Sequence, residues 1–137
     1  KIEPLLGYAN AKREVKYGKN SRIDLLLEDP ELGRAYVEVK NTTLAEGELA
    51  RFPDAVTSRG LKHLNELADV VAAGDRGVML YCVSRADVKA FSPADDIDPA
   101  YSKRLREVAE AGVELLAYST VVTPTSFELG ERLEIRL

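Results

Sequence analysis

The sequence predicts an α/β fold, a mixed β-sheet flanked by helices. Three observations lead there. Strand-like and helix-like segments follow one another in the order β-β-α-β-α-β. The segment Gly77–Val83 (GVMLYCV) is nearly all apolar, the pattern of a strand covered on both faces. Two further segments carry helical periodicity and end on glycine, Gly74 and Gly112.

In chain order, Arg22–Glu28 (RIDLLLE) and Ala35–Lys40 (AYVEVK) alternate as strands around the turn-rich Asp29-Pro30-Glu31-Leu32-Gly33. Asp54–Ala73 is expected as a helix, with Leu61, Leu64, Leu67, Ala68, Val71 and Ala72 as its apolar stripe. Gly77–Val83 is the buried strand. Asp98 and Pro99 suit the N-cap and first turn of a second helix running to about Ala111. Val113–Val122 is another strand, and Phe127–Leu137 adds a short strand or hairpin. There is no repeat, linker or low-complexity stretch, so residues 1–137 are expected to form one domain.

Composition removes several functions. At 137 residues, 45% apolar and 31% charged, the chain can build one core without staples. Its single cysteine, Cys82, forms no internal disulfide and fits a reducing cytoplasm; inside an apolar run it is a structural thiol. No apolar stretch approaches the roughly 18 residues of a membrane span, and no signal peptide is present. One histidine and one cysteine cannot make a tetrahedral zinc site. Neither a Gly-rich phosphate loop nor a GxSxG elbow occurs. The chain begins at Lys1 rather than Met, as expected of a fragment.

Charge is unevenly distributed. Residues 1–22 hold six Lys/Arg against Glu3 and Glu14, a net of +4, so the remainder carries −8 of the overall −4. Lys12, Arg13, Lys16, Lys19 and Arg22 crowd together beside Tyr8 and Tyr17. Cations mixed with aromatics suit a phosphate backbone and stacked bases, and Arg13, Lys16, Lys19 and Arg22 are candidate nucleic-acid contacts. A solvated basic face has the same composition.

The first two strands carry the chemistry. Hydrophobic patterning selects a hairpin register in which Ile23 faces Val39, Leu25 faces Val37 and Leu27 faces Ala35. The opposite face then pairs Asp24 with Glu38, Leu26 with Tyr36 and Glu28 with Arg34. Opposed residues have Cβ atoms about 5 Å apart, so Asp24 and Glu38 repel unless a divalent cation lies between them. Lys40 projects from the same face as Glu38. Two acids and a lysine suit metal-assisted phosphodiester hydrolysis: Asp24 and Glu38 as ligands of magnesium (or manganese), Lys40 as the cation that orients water or meets the transition-state charge. The acid-x-Lys spacing alone is unspecific, recurring at Glu14–Lys16 and Asp87–Lys89. The pattern also describes an ordinary sheet face whose acids Lys40 neutralises.

Arg59, Lys62, His63 and Glu66 lie on the polar side of the first helix. Arg59, Lys62 and His63 are candidate phosphate contacts; alternatively this is a solvated face with a Lys62–Glu66 pair.

Several motifs resemble those of the sugar fermentation stimulation protein family. They are Asn20-Ser21-Arg22-Ile23-Asp24, Tyr36-Val37-Glu38-Val39-Lys40-Asn41-Thr42-Thr43-Leu44, Phe52-Pro53-Asp54-Ala55-Val56-Thr57, Arg59-Gly60, Lys62-His63-Leu64 and Phe91-Ser92-Pro93-Ala94-Asp95. They run from about Tyr8 to Tyr118. The resemblance implies a PD-(D/E)xK restriction-endonuclease-like domain, with Asp24 as the motif's Asp and Glu38 and Lys40 as its E-x-K. It also implies that Glu14 is the acid such nucleases carry on an upstream helix. Similar proteins bind DNA, are linked to regulation of sugar (maltose) utilisation, and carry an N-terminal OB-fold-like domain that is missing here.

Three functions follow as alternatives: a magnesium-dependent nuclease, a DNA-binding regulator without turnover, and an interaction module that binds no nucleic acid. DNA in the cytoplasm is the expected partner, with no membrane. The oligomeric state is open, a dimer being one outcome.

Overall fold

Strand β3 (Gly33–Thr42) organises the molecule: it runs antiparallel to β2 (Ser21–Asp29) on one side and parallel to β6 (Arg76–Val83) on the other. With β1 (Asn10–Tyr17), β8 (Glu114–Val122) and β9 (Phe127–Arg132) these form a six-stranded sheet ordered β1-β2-β3-β6-β8-β9. The remaining short strands, β4 (Leu44–Glu46), β5 (Leu49–Phe52), β7 (Ala90–Pro93) and β10 (Glu134–Ile135), make a second sheet ordered β10-β7-β5-β4. The computed structural model describes residues 3–17, 21–122 and 127–137. The architecture is the expected α/β one, a mixed sheet flanked by two helices.

Helix α1 (Ser58–Ala72) and helix α2 (Pro99–Glu110) pack with one face of the main sheet. Between them lie Ile23, Leu26, Leu64, Leu67, Tyr81 and Tyr101, all buried. The other sheet face has its own cluster of Leu27, Ala35, Val37, Val78, Leu80 and Leu116. Contact between α1 and β6 depends on a missing side chain. A Cβ at Gly77 would stand 3.0 Å from the Leu67 carbonyl oxygen and 3.1 Å from Val71 Cγ2. Because a helix carbonyl cannot rotate away, Gly77→Ala is expected to destabilise the fold by about 1–2 kcal/mol, read as a lower urea midpoint. An unchanged midpoint would show that the helix shifts freely.

Several boundaries differ from expectation. Helix α1 begins at Ser58 rather than Asp54, because Thr57 is the residue that caps it: its side chain accepts the Gly60 N–H at 2.9 Å. The second helix is capped by Asp98 with Pro99 first, and Gly112 follows its end at φ 114°, as the sequence predicts. Strand β1 and the second sheet were not foreseen. Glu14 therefore lies on an edge strand and not on an upstream helix.

The β2–β3 register agrees with the hydrophobic pattern at Leu25↔Val37, Leu26↔Tyr36, Leu27↔Ala35 and Glu28↔Arg34, then stops. At Asp24 the ladder is interrupted on both sides. Toward β1 the pairing passes from Arg13↔Leu25 to Val15↔Ile23, and Glu14 between them has φ 53°, a left-handed value uncommon for a side-chain-bearing residue. Toward β3, the Val39 N–H donates to Asp24 Oδ2 at 2.8 Å instead of to a strand carbonyl. This irregularity turns Ile23 to the helix side, away from Leu25, so the expected pairing of Ile23 with Val39 on one apolar face does not form.

Candidate metal centre and anion cleft

The interrupted ladder fixes Asp24 through the backbone of the strand that carries Glu38 and Lys40. Glu38 is 3% exposed, and its Oε2 is buried with no donor reaching it. Its Oε1 lies 3.4 Å from His63 Nδ1 and 3.9 Å from Lys40 Nζ. Burial first, and then the neighbouring Asp24 carboxyl, push the Glu38 pKa up to about 8, against the pull of Lys40 and Arg59. A buried acid beside another carboxyl holds its proton into the neutral range, so the two do not both ionise.

Lys40 donates to His63 Nδ1 at 2.8 Å. An ammonium cannot accept, so Nδ1 is the acceptor and the imidazole proton sits on Nε2. Burial, reinforced by Lys40 and Arg59, lowers the His63 pKa to about 4 and keeps the ring neutral near pH 7. Burial also lowers the Lys40 pKa, while Glu38 and Asp24 favour its charged form. The geometry thus holds one lysine charge against two acids through a neutral histidine.

Below this set, Ser21 Oγ donates to Glu66 Oε1 at 2.7 Å, and Glu66 is itself buried. Lys62 Nζ is 3.8 Å from the same oxygen, so the expected i,i+4 pair forms with a buried acid rather than on a solvated face. The Tyr17 hydroxyl is held far above its ordinary pKa by burial and by the charges of Glu38 and Glu66. Tyr17, expected as an aromatic beside the basic cluster, is instead buried, and the roles of Ser21 and of a buried Glu66 were not foreseen. The signal for Glu66 was its position one turn beyond His63.

The structure brings Asp24, Glu38, Lys40 and His63 together but divides the other candidates. Arg22, Arg59 and Lys62 line one cavity with Ser21 and His63. Arg13 and Glu14 line another with Asp24. Lys16 lines a third with Tyr17, Tyr36 and Glu66. His63 is 4% exposed, so it reaches the cavity only at its edge. Lys19 lies outside the described residues.

Residues 1–126 match the family profile described as "Sugar fermentation stimulation protein RE domain". The chain belongs to that family. Sugar fermentation stimulation protein homologs from Geobacter sulfurreducens and Pelobacter propionicus are 57% and 59% identical over 134 and 136 residues. These alignments cover 98% and 99% of this chain but 57% and 59% of the relatives, so the chain spans under three-fifths of their length. Among solved structures, Pyrococcus furiosus SfsA in complex with Ca2+ is similar at a TM-score of 0.84 and 32% identity, covering 92% of this chain and 54% of that one. No helix described here is long and apolar enough to cross a membrane.

The donor set of this family member suits a hard divalent cation. Among the described residues no group of three or more His, Cys, Asp and Glu is placed to hold a metal ion. Asp24 and, on releasing its proton, Glu38 would supply two carboxylate oxygen donors, the number magnesium accepts while keeping its own waters. Removing the charge of Glu38 should therefore separate two effects. Glu38→Gln is expected to raise the melting temperature in metal-free buffer near pH 7, because a buried acid that must take up a proton on folding is replaced by a neutral amide. Magnesium should then stabilise the wild type and leave the variant unmoved. Equal magnesium-induced shifts in both proteins would exclude Glu38 as a ligand.

Proposed function

We propose that the domain hydrolyses phosphodiester bonds of nucleic acid, most favourably DNA, with magnesium or manganese held by Asp24 and Glu38. The observation that carries this reading is the Asp24–Glu38 pair, with its buried unpartnered oxygen, beside the Lys40 ammonium. Calcium in the complex of Pyrococcus furiosus SfsA supports a divalent cation of the same oxygen-seeking class here. When bound, such a cation would polarise the phosphate and activate water.

The residues of the chain supply the rest. The Asp24 carboxylate is anchored on the Val39 N–H, which keeps its other oxygen directed by the backbone rather than by a free rotamer. Lys40, bonded to neutral His63, offers a positive charge to the extra negative charge that develops on the phosphoryl group. His63 keeps the lysine in reach without competing for the charge. Glu14 neighbours Asp24 in its cavity from an edge strand and is a candidate auxiliary acid. We read residues 1–137 as one nuclease-like unit, working in a cytoplasm where the buried Cys82 stays reduced.

The test is hydrolysis of labelled single- and double-stranded DNA and RNA with magnesium or manganese, with Glu38→Ala beside the wild type. Cleavage by the wild type alone supports the proposal; equal cleavage by both proteins, or by neither, removes it.

A regulator that binds DNA without turnover is the second reading, favoured by Arg13 and Lys16 on the exposed edge strand β1. It predicts no cleavage, yet binding whose log affinity falls with log salt by about 0.9 per phosphate contacted on B-DNA. Lys16→Ala should reduce that slope by about 1. Salt-independent binding would count against it.

A further inference from the structure

Most cations outside the candidate site are neutralised: Arg34, Arg51, Arg76, Arg85, Arg106 and Arg136 each contact a carboxylate. Arg22 and Arg59 make no ion pair among the described residues. These two converge, with Lys62, on a cavity of about 320 Å3 completed by Ser21 and His63. Neither of the last two adds charge, since Ser21 donates to Glu66 and His63 accepts from Lys40. Lys62 is partly offset by Glu66 at 3.8 Å. Arg59 also acts on Glu38 behind the cavity wall, but the three cations leave the cavity itself net positive.

That charge has a chemical counterpart. An internal phosphodiester carries one negative charge, and a run of them is met by cations strung along a groove. A terminal phosphate monoester carries about −1.5 to −2 near pH 7 and presents three acceptor oxygens at one point. Two arginine forks converging on one cavity suit the second arrangement.

We propose that the cavity between Arg22, Arg59 and Lys62 binds a terminal phosphate monoester of a nucleic-acid strand. His63 lies in the wall of this cavity and also holds Lys40, so the strand end would sit next to the acidic pair. The domain would then work from a phosphorylated end rather than at internal positions. The inference rests on the proposed function for its substrate, but it can be measured without turnover.

The experiment uses the chain in EDTA and three oligonucleotides of one sequence, carrying a 5′-phosphate, a 3′-phosphate or hydroxyl groups at both ends. Fluorescence anisotropy should find one phosphorylated oligonucleotide bound about 10-fold more tightly than the hydroxyl form, as two charge-assisted contacts imply. Whichever end is preferred sets the polarity. Arg59→Gln and, separately, the exposed Arg22→Gln should bring the ratio toward 1. Equal binding of all three oligonucleotides overturns the inference even if magnesium-dependent cleavage is observed. A preference that persists undiminished in both variants overturns it as well. A preference lost in the variants, with no cleavage under any condition, sustains the cavity's role and removes the hydrolytic reading instead.

Discussion

Lys40→Met is expected to lower phosphodiester hydrolysis by a factor of about 10^2–10^3, while magnesium still binds. Methionine keeps most of the apolar stem and removes the ammonium, with its charge and its hydrogen bond to His63. The lysine is 15% exposed, bonded to His63 and 3.9 Å from Glu38, so its charge acts where water screens it little. Two functions are open to such a cation. If it meets charge that develops in the transition state, its loss appears in kcat more than in KM. If it merely neutralises Asp24 and Glu38 in the resting sheet, its loss makes the site more negative. Magnesium would then bind more tightly and hydrolysis would persist. Calorimetric magnesium binding beside single-turnover kinetics distinguishes the two. Tight binding with hydrolysis lost supports the catalytic role; tight binding with hydrolysis retained assigns Lys40 to the sheet's own electrostatics. Lys40→Arg should not rescue the rate, because a planar guanidinium cannot take the compact position of an ammonium against His63.

How far the site was legible follows from what kind of interaction holds each part. The β2–β3 register from Leu25 to Glu28 was readable because side chains alternate with period two and one face must be apolar. Asp98, Pro99 and Gly112 were readable because capping chemistry is local. Edge strand β1 was not, since five of its first residues, Asn10–Glu14, are exposed and carry no apolar alternation. Nor was the break at Asp24. It depends on a carboxylate replacing a strand carbonyl and on a left-handed Glu14, neither of which leaves a periodic trace. That break shapes the site most, for it turns Ile23 inward and leaves Asp24 held by the Val39 N–H. The Ser21–Glu66 bond joins residues 45 apart in sequence and became visible only when β2 and α1 met. Thr57 was hidden by Asp54, a residue of equal capping ability that makes no cap here.

Asp98→Ala is expected to destabilise the domain by about 2–4 kcal/mol, because one buried carboxylate holds the start of both helices. Asp98 is 4% exposed. Its Oδ1 accepts the Tyr101 N–H at 3.0 Å, which caps α2. Its Oδ2 accepts the Thr57 N–H at 2.9 Å, and Thr57 in turn caps α1. Alanine leaves both N–H donors without these partners, so the loss exceeds that of a single cap. Asp98→Ser separates the contributions: its shorter hydroxyl can still cap α2 but cannot also reach Thr57, and it should recover about 1 kcal/mol. Urea denaturation gives both values. The consequence reaches the site through α1, whose first two turns carry Arg59, Lys62 and His63. Under native conditions, loss of the Thr57 bond should therefore weaken hydrolysis in Asp98→Ser as well as stability, although Asp98 touches none of the acidic residues. A serine variant that loses stability but keeps full activity would show that α1 is held by its packing on β6 alone.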